Sequence, residues 1–190
     1  WRLELNLKEL TWENHKSAER KEFASILLSG SIEPQMYYTY LNNQFHNYLA
    51  LESNLPLEKL GLSDIARTGL IREDIQELES MYGFESDFGD ITASTAEYKE
   101  HVEMLRREQD TDGLIAHMYV RHFGDMYGGS IISKRTPGQG KMYQFDDVET
   151  LKTEVRAILN DSMATEANRC FQFAIRLFEE MCSGKDTVSK

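Results

Sequence analysis

The sequence AHMYVRHFGDMYGG, residues 116–129, lies inside a long stretch in which apolar residues recur at helical spacing. Gly124, Gly128 and Gly129 fall within six positions, and each glycine inside a helix costs about 1 kcal/mol relative to alanine. One interpretation is a helix end followed by a loop. The other is a kinked helix whose bare backbone lies flat against a large planar ligand. In that case Asp125 faces the ligand, where a carboxylate can order water and relay protons.

Outward from this stretch, helical periodicity covers nearly the whole chain. In the last helix the apolar spacing is i, i+3, i+4, i+7, i+10, carried by Phe171, Ala174, Ile175, Phe178 and Met181. Alternating β-branched runs bounded by hairpin turns are absent from the sequence. We therefore predict a single all-α domain over 1–182, followed by a polar, disordered tail over 183–190. The expected helices span about 5–28, 34 onward, 57–68, 70–82, 93–107, 112–134, 148–161 and 165–182, with an exposed loop over 135–143.

Composition excludes several classes of protein. The chain has 190 residues, 41% of them hydrophobic, and a net charge of −11, which argues against general nucleic-acid binding and fits a solvated acidic surface. Cys170 and Cys182 are too far apart along one helix to form a disulfide, so we expect packing thiols in a cytoplasmic protein. No uninterrupted apolar stretch approaches the roughly 18 residues of a membrane span, and no secretory segment is recognisable. We expect a soluble protein without a membrane span.

The histidines offer one candidate ligand. The five are His15, His46, His101, His117 and His122. None has a glutamate three residues before it and no pair has metal-ligand spacing, so a protein di-iron centre is not expected. His15 has Glu19 at i+4, on the same helix face, and a carboxylate there would fix the ring of an axial ligand. Taken alone, this spacing is common by chance and favours a structural or surface histidine.

The sequence resembles the heme oxygenase family at five places in the same order. Residues 116–129 resemble the distal helix, whose family pattern is approximately A-H-x-Y-x-R-x-x-G-D-x-S-G-G. The other four matches are the proximal segment His15-x-x-Ala18-Glu19, the second helix over 45–52, the propionate-binding pair Lys152-x-x-x-Arg156 and the last helix over 171–180. Together they cover nearly the whole domain.

The resemblance implies a heme held between a proximal helix and a kinked distal helix. On the proximal side, His15 would be the axial ligand of the heme iron, with Glu19 behind it. On the distal side, Gly124, Gly128 and Gly129 would let the helix approach the heme. The distal water network would be held by Asp125, Tyr48 and Arg121.

The resemblance also implies propionate anchors. These are Lys8, Tyr119, Lys152 and Arg156, since cations and hydroxyls satisfy carboxylates well. For Lys8, ordinary surface charge is the alternative. The chain departs from the family pattern at Trp12, Val120, Tyr127 and Ala174, which affects the propionate clamp and the outer water network.

The implied reaction uses heme as both substrate and cofactor. With O2 and an external reductant, the products would be biliverdin, expected as the α isomer, carbon monoxide and free ferrous iron. No flavin or pyridine-nucleotide motif is present, so electrons would come from a soluble ferredoxin-type donor. A bilin reductase is a possible downstream partner. Basic residues of one loop, Lys134, Arg135 and Lys141, either dock an acidic donor or carry incidental charge.

Three other interpretations remain open at this point. A heme-binding or heme-transfer protein would need His15 but not Asp125. A thiaminase-like enzyme on the same scaffold would need a catalytic cysteine or acidic pair in the pocket, whereas Cys170 and Cys182 fall in or beside a core stripe. A helical interaction module without a ligand would leave the glycine cluster unexplained.

Overall fold

The structure, a computed structural model, describes residues 3–85 and 91–183, and this part of the chain contains helices and no strand. The prediction of an all-α fold is therefore confirmed. The ten α-helices are α1 (Leu3–Leu10), α2 (Trp12–Glu19), α3 (Glu22–Leu28), α4 (Pro34–Asn54), α5 (Thr68–Tyr82), α6 (Ala93–Arg107), α7 (Thr111–Met118), α8 (Gly124–Ile132), α9 (Val148–Ala157) and α10 (Ala164–Ser183). Of the predicted tail, Ser183 ends α10, and 184–190 lie outside the described residues.

Two apolar clusters form the core, and two long helices contribute to both. One cluster joins α4 to α6, α7, α9 and the start of α10, around Leu51, Tyr98 and Val155. The other joins α4 to α3, α5 and the end of α10, around Phe23 and Leu41. Helix α10 also packs on α2, α3 and α7. It therefore supports both sides of the space in which a ligand is expected.

The predicted first helix over 5–28 is wrong as a single helix, because it breaks into α1, α2 and α3. At the first break, the buried hydroxyl of Thr11 donates to the carbonyl oxygen of Leu7 at 2.9 Å, a bond that competes with regular helix geometry. At the second, Lys21 adopts an extended backbone with ψ 145°. The apolar spacing continues through both breaks, so periodicity could not reveal them.

The predicted helix over 57–68 is also wrong, since only a short 3-10 turn, Ser63–Ile65, occurs there. The connection is held by the buried Arg67, whose guanidinium donates to the carbonyl oxygens of Ile65, Asp64 and Gln144. Because a buried cation can satisfy several carbonyl groups, it stabilises an irregular backbone without the hydrogen bonds of a helix.

The loop over 135–143 is less exposed than predicted. Met142 and Tyr143 are buried within a 3-10 turn, Lys141–Tyr143. Their placement depends on Asp74 of α5, which accepts hydrogen bonds from the backbone N–H groups of Lys141 at 2.8 Å and Met142 at 2.9 Å. A buried carboxylate thus supplies the acceptors that solvent was expected to supply.

Candidate functional site

The proximal side is built around His15 on α2. Its Nε2 lies 2.7 Å from Oε1 of Glu19, and its ring stacks on Phe171 of α10 with 5.7 Å between centroids. The Trp12 ring also contacts the His15 ring, with 5.5 Å between their centroids. The His15 side chain nevertheless remains 42% exposed, so a ligand can reach the imidazole. A carboxylate that pairs with one ring nitrogen fixes the tautomer and leaves the other nitrogen for a metal.

The distal side contains a π-helical turn over Tyr119–Phe123, between α7 and α8. The sequence placed the irregularity at the glycines, but the wide turn precedes them, and Gly124 has ordinary helical angles of φ −60° and ψ −43°. Arg121, His122 and Phe123 are all buried, because the turn is enclosed by several helices. Single π-helical turns inside α-helices occur frequently at functional sites.

The three glycines of α8 have different surroundings. A Cβ atom at Gly124 would meet nothing within 4 Å, and one at Gly128 would meet only Cδ1 of Ile132, at 3.9 Å. A Cβ atom at Gly129 would lie 2.8 Å from Cβ of Tyr143. Packing within the protein therefore accounts for Gly129 but not for Gly124 or Gly128. The space beside Gly124 and Gly128 is therefore open to a ligand.

Asp125 lies at the first turn of α8 and accepts a hydrogen bond from the hydroxyl of Tyr48 on α4. Burial raises the pKa of the Asp125 carboxyl to about 6, although the Tyr48 hydrogen bond and the charges of Arg121 and Arg67 partly oppose the shift. A carboxyl group with this pKa can hold or release a proton near neutral pH. The structure thus brings together three of the residues predicted for the distal network: Tyr48, Arg121 and Asp125.

Arg121 is buried, and its guanidinium carbon lies 4.1 Å from the ring centroid of Tyr98 on α6. Its Nε has no hydrogen-bond partner among the described residues. Buried donors in native proteins are normally paired, so this N–H is available for a ligand or an ordered water.

Sequence analysis missed the support behind the distal turn. His122 is fully buried, and its Nε2 lies 2.7 Å from Oε2 of Glu52 on α4. The His122 ring also meets Tyr48 edge-on, with 4.8 Å between centroids. This contact helps to position Tyr48, whose hydroxyl donates to Asp125. His122 and Glu52 are 70 residues apart in sequence, so no local sequence signal could have revealed their contact.

Three of the four predicted propionate anchors share one surface beside the distal helix. The Tyr119 ring lies 5.5 Å from that of Phe123, and the Arg156 guanidinium lies 5.5 Å from the same Phe123 ring. Arg156 also donates to the hydroxyl of Tyr127, and the Lys152 ammonium lies 3.8 Å from the Tyr127 ring centroid. Tyr127, a departure from the family pattern, therefore occupies the centre of this basic surface.

The fourth predicted anchor, Lys8, lies on α1, where its ammonium is 6.0 Å from the Trp12 ring centroid. The Lys16 ammonium lies 5.7 Å from the same ring. Trp12 thus sits between two lysines next to His15. The two lysine ammonium groups on the proximal side therefore lie on an aromatic ring. This ring, Trp12, stands where the family often has a second basic residue.

Comparison with known proteins agrees with this geometry. The sequence model described as heme oxygenase matches residues 2–180. The chain belongs to the heme oxygenase family. As a member of that family, it is an enzyme of heme degradation. The heme oxygenase of Pyropia yezoensis is 26% identical, over 93% of this chain and 84% of the relative. Heme oxygenase 1 of Synechocystis is 27% identical, over 92% of this chain and 82% of the relative.

Solved structures share the fold of this heme oxygenase. The enzyme from Leptospira interrogans superposes with a TM-score of 0.81 at 25% identity, covering 95% of this chain and 100% of the other. Heme oxygenase-1 from Synechocystis in complex with heme gives a TM-score of 0.81 at 23% identity, covering 99% and 97%. No described helix of the present chain has the length and apolar character required to cross a bilayer.

The described residues fit a heme. His15 offers an accessible imidazole with a carboxylate partner, as axial heme ligands do. Gly124 and Gly128 leave open space where side chains would otherwise stand. Lys152 and Arg156 supply positive charge at one edge, where propionates need it.

Proposed function

We propose that this heme oxygenase opens heme with O2 to give biliverdin IXα, carbon monoxide and ferrous iron, with electrons from a reduced ferredoxin-type donor. The observation that carries the proposal is the half-buried Asp125 carboxyl, which accepts a hydrogen bond from Tyr48 at the start of a helix whose Gly124 borders open space. Neither a heme carrier nor a ligand-free helical module needs a titratable acid at this position. A thiaminase-like reaction is disfavoured because Cys170 is buried in the core.

Binding is assigned to residues on both sides of the heme. His15 would hold the heme iron through its imidazole, which Glu19 keeps in orientation. Tyr119, Lys152 and Arg156 bind the propionates, and Lys8 supplies a further positive charge from α1. Gly128 would leave room for the heme beside α8, and Gly129 lets α8 lie close to Tyr143.

The distal residues control protons. When bound, heme supplies the iron at which O2 is activated, and the reaction consumes protons as well as electrons. Asp125 and the unpartnered Nε–H of Arg121 hold water above the heme, and Tyr48 stays hydrogen-bonded to the Asp125 carboxylate. Since the pKa of Asp125 is about 6, this carboxyl exchanges protons with such a water at neutral pH without a large free-energy penalty.

The choice of the α isomer rests on the basic edge. By holding the propionates, Lys152 and Arg156 would set the orientation of the heme and thereby the ring position that is opened. Tyr127 already accepts a hydrogen bond from Arg156 and shares that edge with the propionates. A β or δ isomer as the main product would show that this clamp holds the heme in another rotation.

The test is a single spectroscopic titration followed by product analysis. Hemin is added to the purified chain, and ferredoxin, its reductase and NADPH are then supplied in the presence of catalase. We expect a sharp Soret band that decays into a broad biliverdin absorbance, with the α isomer identified by chromatography. A Soret band that stays stable under reduction would indicate a heme carrier. Absence of any Soret shift would overturn the assignment of His15.

The donor is proposed to dock on the loop that follows α8. Lys134 is exposed, whereas the Lys141 ammonium lies 3.2 Å from Glu73 and Arg135 donates to the carbonyl oxygen of Leu28. A basic patch on an acidic protein steers an acidic partner toward it. Lys134→Glu combined with Lys141→Glu should slow turnover at limiting ferredoxin. Unchanged rates at limiting and at saturating ferredoxin would rule out this docking site.

The proposal includes a cytoplasmic location and a bilin reductase that takes up the product. Biliverdin formation assayed with and without a purified bilin reductase tests the second point. Faster release of product in its presence would support a direct partnership, and an unchanged rate would exclude one.

A further inference from the structure

Three helices bring together two histidines and a glutamate that have no role in the proposed heme site. His101 of α6 and His117 of α7 direct their Nε2 atoms at the same oxygen, Oε2 of Glu166 on α10. The two N···O distances are 2.7 and 2.8 Å. Among the described residues, this is the one group of three or more His, Cys, Asp or Glu side chains whose ligand atoms all lie within 4.8 Å of one another.

The neighbours of this cluster orient its ligand atoms. The hydroxyl of Tyr98 lies 2.9 Å from Nδ1 of His117. Arg169 donates to Oε1 of Glu166 at 2.9 Å, which leaves Oε2 directed at the two imidazoles. A partner for the second ring nitrogen of a histidine and a partner for the second carboxylate oxygen are features of the shell around metal sites.

We propose that His101, His117 and Glu166 bind one divalent transition-metal ion of the zinc or ferrous-iron class. Two imidazole nitrogens and one carboxylate oxygen are the donor set that such ions prefer, with open positions for water. Ligand distances of about 2.0–2.2 Å require the donor atoms to move apart by about 0.3 Å around an octahedral ion and about 0.7 Å around a tetrahedral one. The side chains of His101 and Glu166 are 11% and 13% exposed, which gives them room to move and gives the ion an entry path.

The competing arrangement is a hydrogen-bonded trio without an ion. In that case both Nε2 atoms carry hydrogen and donate to Glu166, and Nδ1 of His117 accepts from the Tyr98 hydroxyl. With a metal, His117 carries its hydrogen on Nδ1 and donates to Tyr98, and both Nε2 atoms lose hydrogen. The two states therefore differ in tautomer, which can be measured. Neither state involves His15, so this site stands independently of heme turnover.

The experiment uses Co²⁺ as a spectroscopic probe of the complete, chelator-treated chain. We expect one visible-absorbing Co²⁺ per chain that Zn²⁺ displaces. His101→Ala and Glu166→Gln should each weaken Co²⁺ binding by at least about tenfold. His15→Ala, the matched control at the heme ligand, should leave Co²⁺ binding unchanged. Absence of Co²⁺ binding, or wild-type affinity in both cluster variants, would overturn the proposal.

A second measurement needs no substitution and so does not depend on whether the variants fold. Nitrogen-15 spectra of the histidines in the wild-type chain report the tautomer of each ring. Zn²⁺ should shift the Nε2 signals of two histidines and place the hydrogen of His117 on Nδ1. If Zn²⁺ leaves all histidine signals in place, or moves only that of the exposed His15, the metal site does not exist.

Discussion

Two histidine–glutamate pairs on opposite sides of the site have the same N···O distance of 2.7 Å and very different surroundings. In the proximal pair, the side chains of His15 and Glu19 are 42% and 66% exposed. In the distal pair, those of His122 and Glu52 are 0% and 9% exposed. Equal geometry therefore does not mean equal energy. An exposed pair is weakened by water and side-chain freedom, whereas a buried pair is costly to break.

The distal pair also supports the backbone around it. Glu52 accepts hydrogen bonds from the backbone N–H groups of Arg67, at 2.6 Å, and Thr68, at 2.9 Å, at the start of α5. Burial alone would raise the pKa of Glu52, but the hydrogen bonds from His122, Thr68 and Arg67 lower it overall. Burial is also the main cause that lowers the pKa of His122. The distal pair is thus a structural junction, and the proximal pair is the proposed heme ligand with its local partner.

The largest expected effect separates the two sides by function. Asp125→Ala should reduce biliverdin formation by about 100-fold or more, because proton transfer by a positioned side chain typically contributes this much. The Soret band of the heme complex should remain close to that of the wild type. His15→Ala should instead change the Soret band as well as turnover. Loss of heme binding in Asp125→Ala would show that Asp125 maintains the structure of the heme site and that its role is not limited to proton transfer.

A matched pair of substitutions tests the difference in energy. Glu52→Ala should lower the free energy of unfolding by about 3 kcal/mol, because it leaves His122 and two backbone N–H groups without an acceptor. Glu19→Ala should change it by no more than about 0.5 kcal/mol. Urea unfolding of the heme-free chain measures both. Similar losses for the two variants would show that burial does not make the Glu52–His122 pair more important for stability than the exposed Glu19–His15 pair.

The pH dependence of stability sharpens the description of the distal side. The pKa of Asp125 is raised from 3.8 to about 6, so the folded chain keeps a proton that the unfolded chain releases as the pH rises from 4 to 6. Stability from this group therefore falls across that window and is constant above it. Asp125→Asn should be more stable than wild type by about 3 kcal/mol at pH 7 and nearly equal to it near pH 4. Urea unfolding between pH 4 and 8 measures the difference, and a constant offset would contradict the raised pKa.

The smallest expected effects distinguish two glycines of one helix. Gly129→Ala should destabilise the chain by about 1–2 kcal/mol, because its Cβ would press against Tyr143. Gly124→Ala should stabilise the heme-free chain by up to about 1 kcal/mol, because alanine favours the helix and meets no neighbour. It should also weaken heme binding. Thermal unfolding and hemin titration test the pair; unchanged hemin affinity in Gly124→Ala would remove Gly124 from the ligand surface.

The success of sequence analysis differed between these regions for a physical reason. The contact between His15 and Glu19 follows from i,i+4 spacing, and the structure has it at 2.7 Å. The helical character of 116–129 followed from its periodicity, but the π-helical turn did not, because it depends on the helices that enclose it. Sequence analysis found no metal-ligand spacing among the histidines, yet His101 and His117 meet at Glu166, up to 65 residues away in sequence.

The sequence by itself determined the helical class, the last helix and the family to which the chain belongs, since local periodicity and ordered motifs are properties of neighbouring residues. Tertiary structure alone decided where the first helix breaks, which glycine faces open space and which carboxylates pair with the buried His117 and His122. Those features depend on burial and on contacts between distant segments. Because burial sets the strength of each polar pair and the pKa of Asp125, the chemistry of the site was fixed only when the helices packed together.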